Sequence, residues 1–279
     1  MDSKVRLKKL RLFAVVFAFA LAGFADQARA GSYGYSVQQT SGYSVTGATV
    51  GSVTLFSSSG AFQTGSPSGS ESQGSTADTL QSYVGPGAGR PVENTFTAKG
   101  MTTPDYARGD ALLASPSFST ASVAEAFLAG GGNNNGTGAW SISAPLTLSN
   151  SGSVTLSFNF TNQLSLVNNT SPSGAVAADF SYDFDIQNSS GITVFSSSPT
   201  SVNRTMSLTS IGNISNPSSG SISITSGTLS SGTYTLTLSG ASHVFINAAV
   251  PEPSTYMLVI SGVLVISAAG GARRRSNQR

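Results

Sequence analysis

Hydrophobic and polar residues alternate with a period of two through much of the second half of the chain. In 153–160, Val154, Leu156, Phe158 and Phe160 fall on one face, and Ser153, Thr155, Ser157 and Asn159 on the other. That period marks a strand with one buried face. The same pattern predicts strands at 180–186, 192–195, 206–211, 221–224, 233–238 and 244–248. Turn residues separate them, at Asn150-Ser151-Gly152, 171–174, 188–191, Asn216-Pro217 and Ser231-Gly232. Strands with polar outer faces need a second sheet to cover their inner ones. The expected fold is therefore all-β, an antiparallel β-sandwich of jelly-roll or immunoglobulin-like kind.

The first half is less regular. Residues 43–56 read as a strand pair interrupted by Gly47 and Gly51, and 57–74 as a mobile Ser/Gly loop with little to bury. In 120–129, Val123, Ala124, Phe127 and Leu128 follow helical spacing behind a Ser119 or Thr120 cap and stop at Gly130-Gly131-Gly132, which predicts one short helix. Residues 130–138 read as a long loop leading into a strand around Trp140, and as a candidate domain boundary. A single sandwich fed by both halves is the simpler expectation, because the first half alone offers few legible strands.

The two ends follow other rules. Lys4, Arg6, Lys8, Lys9 and Arg11 precede the thirteen residues from Leu12 to Phe24, which are followed by Ala28-Arg29-Ala30. A basic segment, a short apolar core and small residues at Ala28 and Ala30 make residues 1–30 a secretory signal peptide, cut after Ala30 by signal peptidase. At the other end, the sixteen residues 256–271 carry no charge and are followed by Arg273, Arg274 and Arg275. This predicts a short transmembrane helix with its basic tail held on the cytoplasmic side.

Immediately before that segment stands Pro251-Glu252-Pro253. The order of motif, apolar segment and arginine cluster resembles the PEP-CTERM sorting signal of Gram-negative bacteria, and the resemblance covers residues 250–279. It implies that an exosortase, a membrane protease, processes the tail near the motif. It also implies export of 31–249 through the secretion machinery, a transient inner-membrane anchor, and a final place at the cell surface or in an exopolysaccharide matrix. The two prolines suit this role physically, since they keep the segment extended and out of the following helix.

Charge is concentrated at the ends. The whole chain has a formal net charge of +2, but between residues 31 and 250 four basic residues face nine acidic ones, leaving −5. No basic stripe exists for nucleic acid. Cysteine is absent and His243 is the single histidine, so thiolate chemistry and a typical zinc site are excluded and no cofactor is expected. No Gly-x-Ser-x-Gly elbow accompanies His243 either.

The remaining candidates are few. Asp179, Asp183 and Asp185 share one face of a predicted strand, which suits a solvated outer face, a cation, or the carboxylate pair of a glycoside hydrolase. Tyr33, Tyr35, Tyr43 and Trp140 are either core residues or the stacking surface of a carbohydrate-binding module. Arg108-Gly109-Asp110 reads as a chance tripeptide or a turn. The leading expectation is a non-enzymatic surface or matrix protein, structural or adhesive, with carbohydrate binding as the alternative and glycoside hydrolysis as a weaker one.

Overall fold

The computed structural model describes residues 31–64, 69–74, 78–85, 90–101, 105–114, 119–169 and 174–248. The expected signal peptide with Ala28 and Ala30, the motif Pro251, Glu252 and Pro253, the apolar segment 256–271 and Arg273 to Arg275 lie outside the described residues.

Two antiparallel sheets pack face to face. The six-stranded sheet runs in the order β13 (Gly212–Thr225), β9 (Thr155–Asn168), β1 (Ser32–Thr46), β7 (Ser119–Leu128), β6 (Tyr106–Ala114) and β5 (Asp78–Val84). The eight-stranded sheet runs β11 (Thr193–Ser197), β10 (Ala175–Asn188), β14 (Gly232–Ala248), β8 (Gly132–Leu148), β3 (Thr54–Gln63) and β4 (Gly69–Gly74); β12 (Arg204–Leu208) also pairs with β10, and β2 (Thr49–Val50) with β8. Strands from both halves of the chain interleave in both sheets.

Alternation explains the large-residue half of the interior. Leu156, Phe158, Leu164 and Leu166 of β9 face Phe180, Tyr182, Phe184 and Ile186 of β10, with Trp140, Leu146, Leu236 and Leu238 completing the layer. Full burial of each such side chain contributes about 1.5–3 kcal/mol. Tyr43, Trp140, Phe158 and Tyr182 meet ring against ring, with centroids 5.3 to 6.5 Å apart.

The other half of the interior is built from small and polar residues. Ser122 bonds Ser242 at 2.9 Å, Gln38 donates to Ser122 at 2.9 Å, Ser59 meets Ser82 at 3.0 Å, and Ser36 donates to the Asp179 carbonyl at 2.7 Å. Here backbone meets backbone. A Cβ on Gly109 of β6 would lie 1.7 Å from the Thr137 carbonyl oxygen, and one on Gly138 of β8 would lie 2.2 Å from that of Asp110. Packed sheets ordinarily stand about 10 Å apart. Glycine allows these two to close further, and the interleaved hydroxyls satisfy one another where no side chain fits between the sheets.

Five expectations are corrected. No helix occurs among the described residues, and 119–128 forms β7. Its residues are buried on both faces, so the polar half of the strand alternation is missing and the remainder imitates a helix. The stretch 57–74 is largely β3 and β4 instead of a loop, and 132–138 opens β8 instead of forming a linker. Asn216-Pro217 lies within β13, an edge strand, where proline is tolerated. Residues 233–238 and 244–248 join as the single strand β14.

Candidate functional site

β1 is buried on both faces. Ser32, Ser36 and Gln38 face the other sheet, while Tyr33, Tyr35 and Val37 point away from it and are also buried. The reason is a strap, residues 90–101, that crosses the outer face of the six-stranded sheet. Beneath it Tyr33, Tyr35, Val37, Tyr106, Val123 and Phe127 form a second small core, with Phe96 and Tyr83 packed on it.

Buried charge fastens the strap. Arg108 and Glu125 are both fully buried and pair through Nε and Oε2 at 2.7 Å. Arg108 also donates to the carbonyls of Thr95 at 2.9 Å and Thr97 at 2.6 Å. Glu125 accepts from the Tyr33 hydroxyl at 2.7 Å and from the backbone N–H of Lys99 at 3.1 Å and of Gly100 at 2.9 Å. A buried ion pair is tolerated only when its remaining donors and acceptors are satisfied, and the strap's backbone supplies those partners. The Tyr35 hydroxyl donates to the Phe96 carbonyl, and Tyr106 donates to Gly100 at 2.7 Å. Lys99 Nζ donates to the Tyr83 hydroxyl at 2.9 Å and lies 4.2 Å from the centre of the Tyr106 ring. Burial raises the phenol of Tyr35 to about 12 and pushes that of Tyr33 higher still, aided by the neighbouring Glu125 carboxylate.

Asp110 fastens the start of the strap. Its Oδ2 accepts the Asn94 N–H at 2.9 Å, with Gln81 Nε2 at 3.5 Å. Asn94 holds φ at +60°, and neither its Oδ1 nor Oδ1 of Asp110 has a hydrogen-bond partner. Burial lifts the Asp110 carboxyl from 3.8 to about 6. Arg108-Gly109-Asp110 is thus a buried stretch of β6, neither a turn nor an exposed tripeptide.

Where the strap ends, the outer face opens. Phe96, Thr97 and Ala98 form one wall of a groove of about 560 Å³ that runs over β1, β9 and β13, past Tyr35, Val37, Gln39, Thr161, Gln163 and Pro217. Register sets Gln163 beside Val37 on one side and Pro217 on the other.

The opposite surface, on the eight-stranded sheet, holds the three aspartates. Asp179, Asp183 and Asp185 occupy its half-exposed outer face, in register with His243, Ser239 and Thr237. Asp179 Oδ1 lies 2.8 Å from His243 Nδ1, and this hydrogen bond raises the imidazole's pKa above 6.5 against the opposing effect of burial. Asp183 lines a shallow depression of about 230 Å³ with Phe56, Ser181 and Ser239.

Sequence reasoning foresaw the shared face of the aspartates, and of its two readings of Tyr33, Tyr35, Tyr43 and Trp140 the core one holds, since all four pack in one of the two cores. It missed the Asp179–His243 contact and the strap with its ion pair. A signal for the strap does exist: Arg90, Glu93, Lys99, Asp105, Arg108 and Asp110 crowd into 21 residues of a body otherwise poor in charge. Comparison with known protein families, with characterised proteins and with solved structures finds no match to this chain.

Proposed function

We propose that this protein is exported, processed at its C-terminal tail by an exosortase, and retained at the cell surface or in the exopolysaccharide matrix of a Gram-negative bacterium as a structural or adhesive component. The observation that carries this reading is the order Pro251-Glu252-Pro253, an apolar segment at 256–271, and Arg273 to Arg275. The body supports it in a different way. Strands of 14 to 17 residues pair along their length without any disulfide, and the outward faces of β8, β9 and β14 are rich in Ser, Thr and Asn. Such a surface is solvated by neutral hydroxyls and amides, which suits close contact with polysaccharide. The hydrolase reading would recruit Asp179, Asp183 and Asp185, but Asp179 is already engaged by His243.

The test is the intact mass of the protein in membrane and extracellular fractions of cells that contain an exosortase. Wild-type protein is expected to lose Arg273 to Arg275, and Glu252→Ala with Pro253→Ala to leave a full-length, membrane-retained form. Wild-type protein found only in the membrane and ending at Arg279 would overturn the sorting step.

A further inference from the structure

We infer that the groove beside the strap is a binding site for a neutral polysaccharide. The inference rests on the matrix reading for its setting, while its chemistry comes from the groove alone. No lining side chain is an acid or a base with a charge at neutral pH. The absence is local, because Arg90, Lys99, Arg108, Asp110 and Glu125 all lie under or within the neighbouring strap. A charged ligand would find no counter-charge here, and a phosphate backbone no cation.

What the groove does offer is amphipathic. The rings of Phe96 and Pro217 and the side chain of Val37 give apolar surface, and Gln39, Thr161 and Gln163 give neutral donors and acceptors beside it. A sugar ring has the same division, with C–H faces and a hydroxyl rim. Gln163 Nε2 donates to Ser165 Oγ at 3.1 Å, which holds the amide in one orientation and leaves its carbonyl oxygen free to accept a sugar hydroxyl. The wall is fixed in advance. Arg108 grips the carbonyls on both sides of Phe96, and Tyr35 grips that of Phe96 itself, so binding need not order this segment. The volume falls in the range of pockets that hold small ligands. A peptide strand is a poor occupant of the floor, because β1 and β9 beneath it are each paired on both sides and offer no free backbone groups.

Native affinity electrophoresis tests this with the full chain, solubilised in detergent, in gels containing dextran, laminarin, galactomannan or the acidic polymer alginate. At least one neutral polymer should retard the protein, and alginate at the same concentration should not. Gln39→Ala with Gln163→Ala should weaken the retardation on the order of tenfold, the loss of a few hydrogen bonds. Phe56→Ser on the opposite face should leave it unchanged. Gln39 is exposed and Gln163 half-buried, so the double variant should melt like the parent. No retardation by any neutral polymer, retardation that survives the double variant, or retardation abolished only by Phe56→Ser would each overturn the assignment. Because the protein can be extracted from either cell fraction, failure here is distinguishable from failure of the sorting reading.

Discussion

Gly109→Ala puts the close approach of the two sheets to a direct test. The added Cβ would lie 1.7 Å from the Thr137 carbonyl oxygen and 2.6 Å from that of Gly60, the first being half the 3.4 Å at which ordinary van der Waals contact begins. Both obstacles are backbone atoms in paired strands, so neither can rotate aside. The sheets must part instead, and even a gap of 0.5–1 Å forfeits about a quarter to a half of the dispersion attraction between facing atoms. Overpacking typically costs about 1–3 kcal/mol, and the upper end of about 3 kcal/mol applies where nothing flexible can yield. For a folded body of this size that lowers the melting temperature by about 6–12 °C. The assay is thermal unfolding followed by circular dichroism, with Gly227→Ala as the control, since a Cβ there meets nothing within 4 Å. The control should melt within about 2 °C of wild type. If Gly109→Ala does the same, the sheets do not touch at this point and the account of a glycine-spaced interior is wrong.

Two further predictions concern protonation. Because Asp110 titrates near 6 in the folded protein and near 3.8 when free, the folded state holds the proton more tightly. Stability should therefore fall as pH rises from about 4 through about 6, and Asp110→Asn should lack that component; identical pH dependence of melting in the two proteins would refute it. His243, whose raised pKa comes first from the Asp179 hydrogen bond, contributes stability that is present below 6.5 and lost as pH rises through its folded-state value. It is the single histidine, so an NMR titration reads it directly, and Asp179→Asn should move the midpoint down, whereas an unmoved midpoint would sink the pairing.

The strands legible in the sequence were those with one wet face. β9, β10 and β14 alternate because their outer faces meet solvent, and Leu156 and Phe158, assigned to the inner face of 153–160, are buried. β7 could not be read this way. Its Val123, Glu125 and Phe127 lie under the strap and its Ala124, Ala126 and Leu128 face the other sheet, so no polar face remained to set the period. Gly136 and Gly138 misled for a related reason. Local rules assign glycine to loops, whereas here it lets two sheets touch across about 27 residues of sequence, a demand that becomes visible only when Gly109 is placed opposite. The groove was equally hidden, since Phe96 and Gln163 belong to segments that nothing in the local pattern brings together.

The strand order has a consequence for how such a chain comes to be folded. β1, the first strand of the body, lies between β7 and β9, and β14, the last, lies between β10 and β8. Both termini of the body are therefore interior to their sheets. A ribosome delivers Ser32–Thr46 first, but its partners arrive only at 119–128 and 155–168, and the eight-stranded sheet has a gap until Gly232–Ala248 exists. Pairing over such separations makes folding slow and leaves the incomplete chain without a stable intermediate sheet. Any truncation within the body removes a central strand, never a peripheral one. Removal of everything after Ala248, by contrast, leaves every ladder among the described residues intact, so a protease acting at the tail would leave these pairings whole.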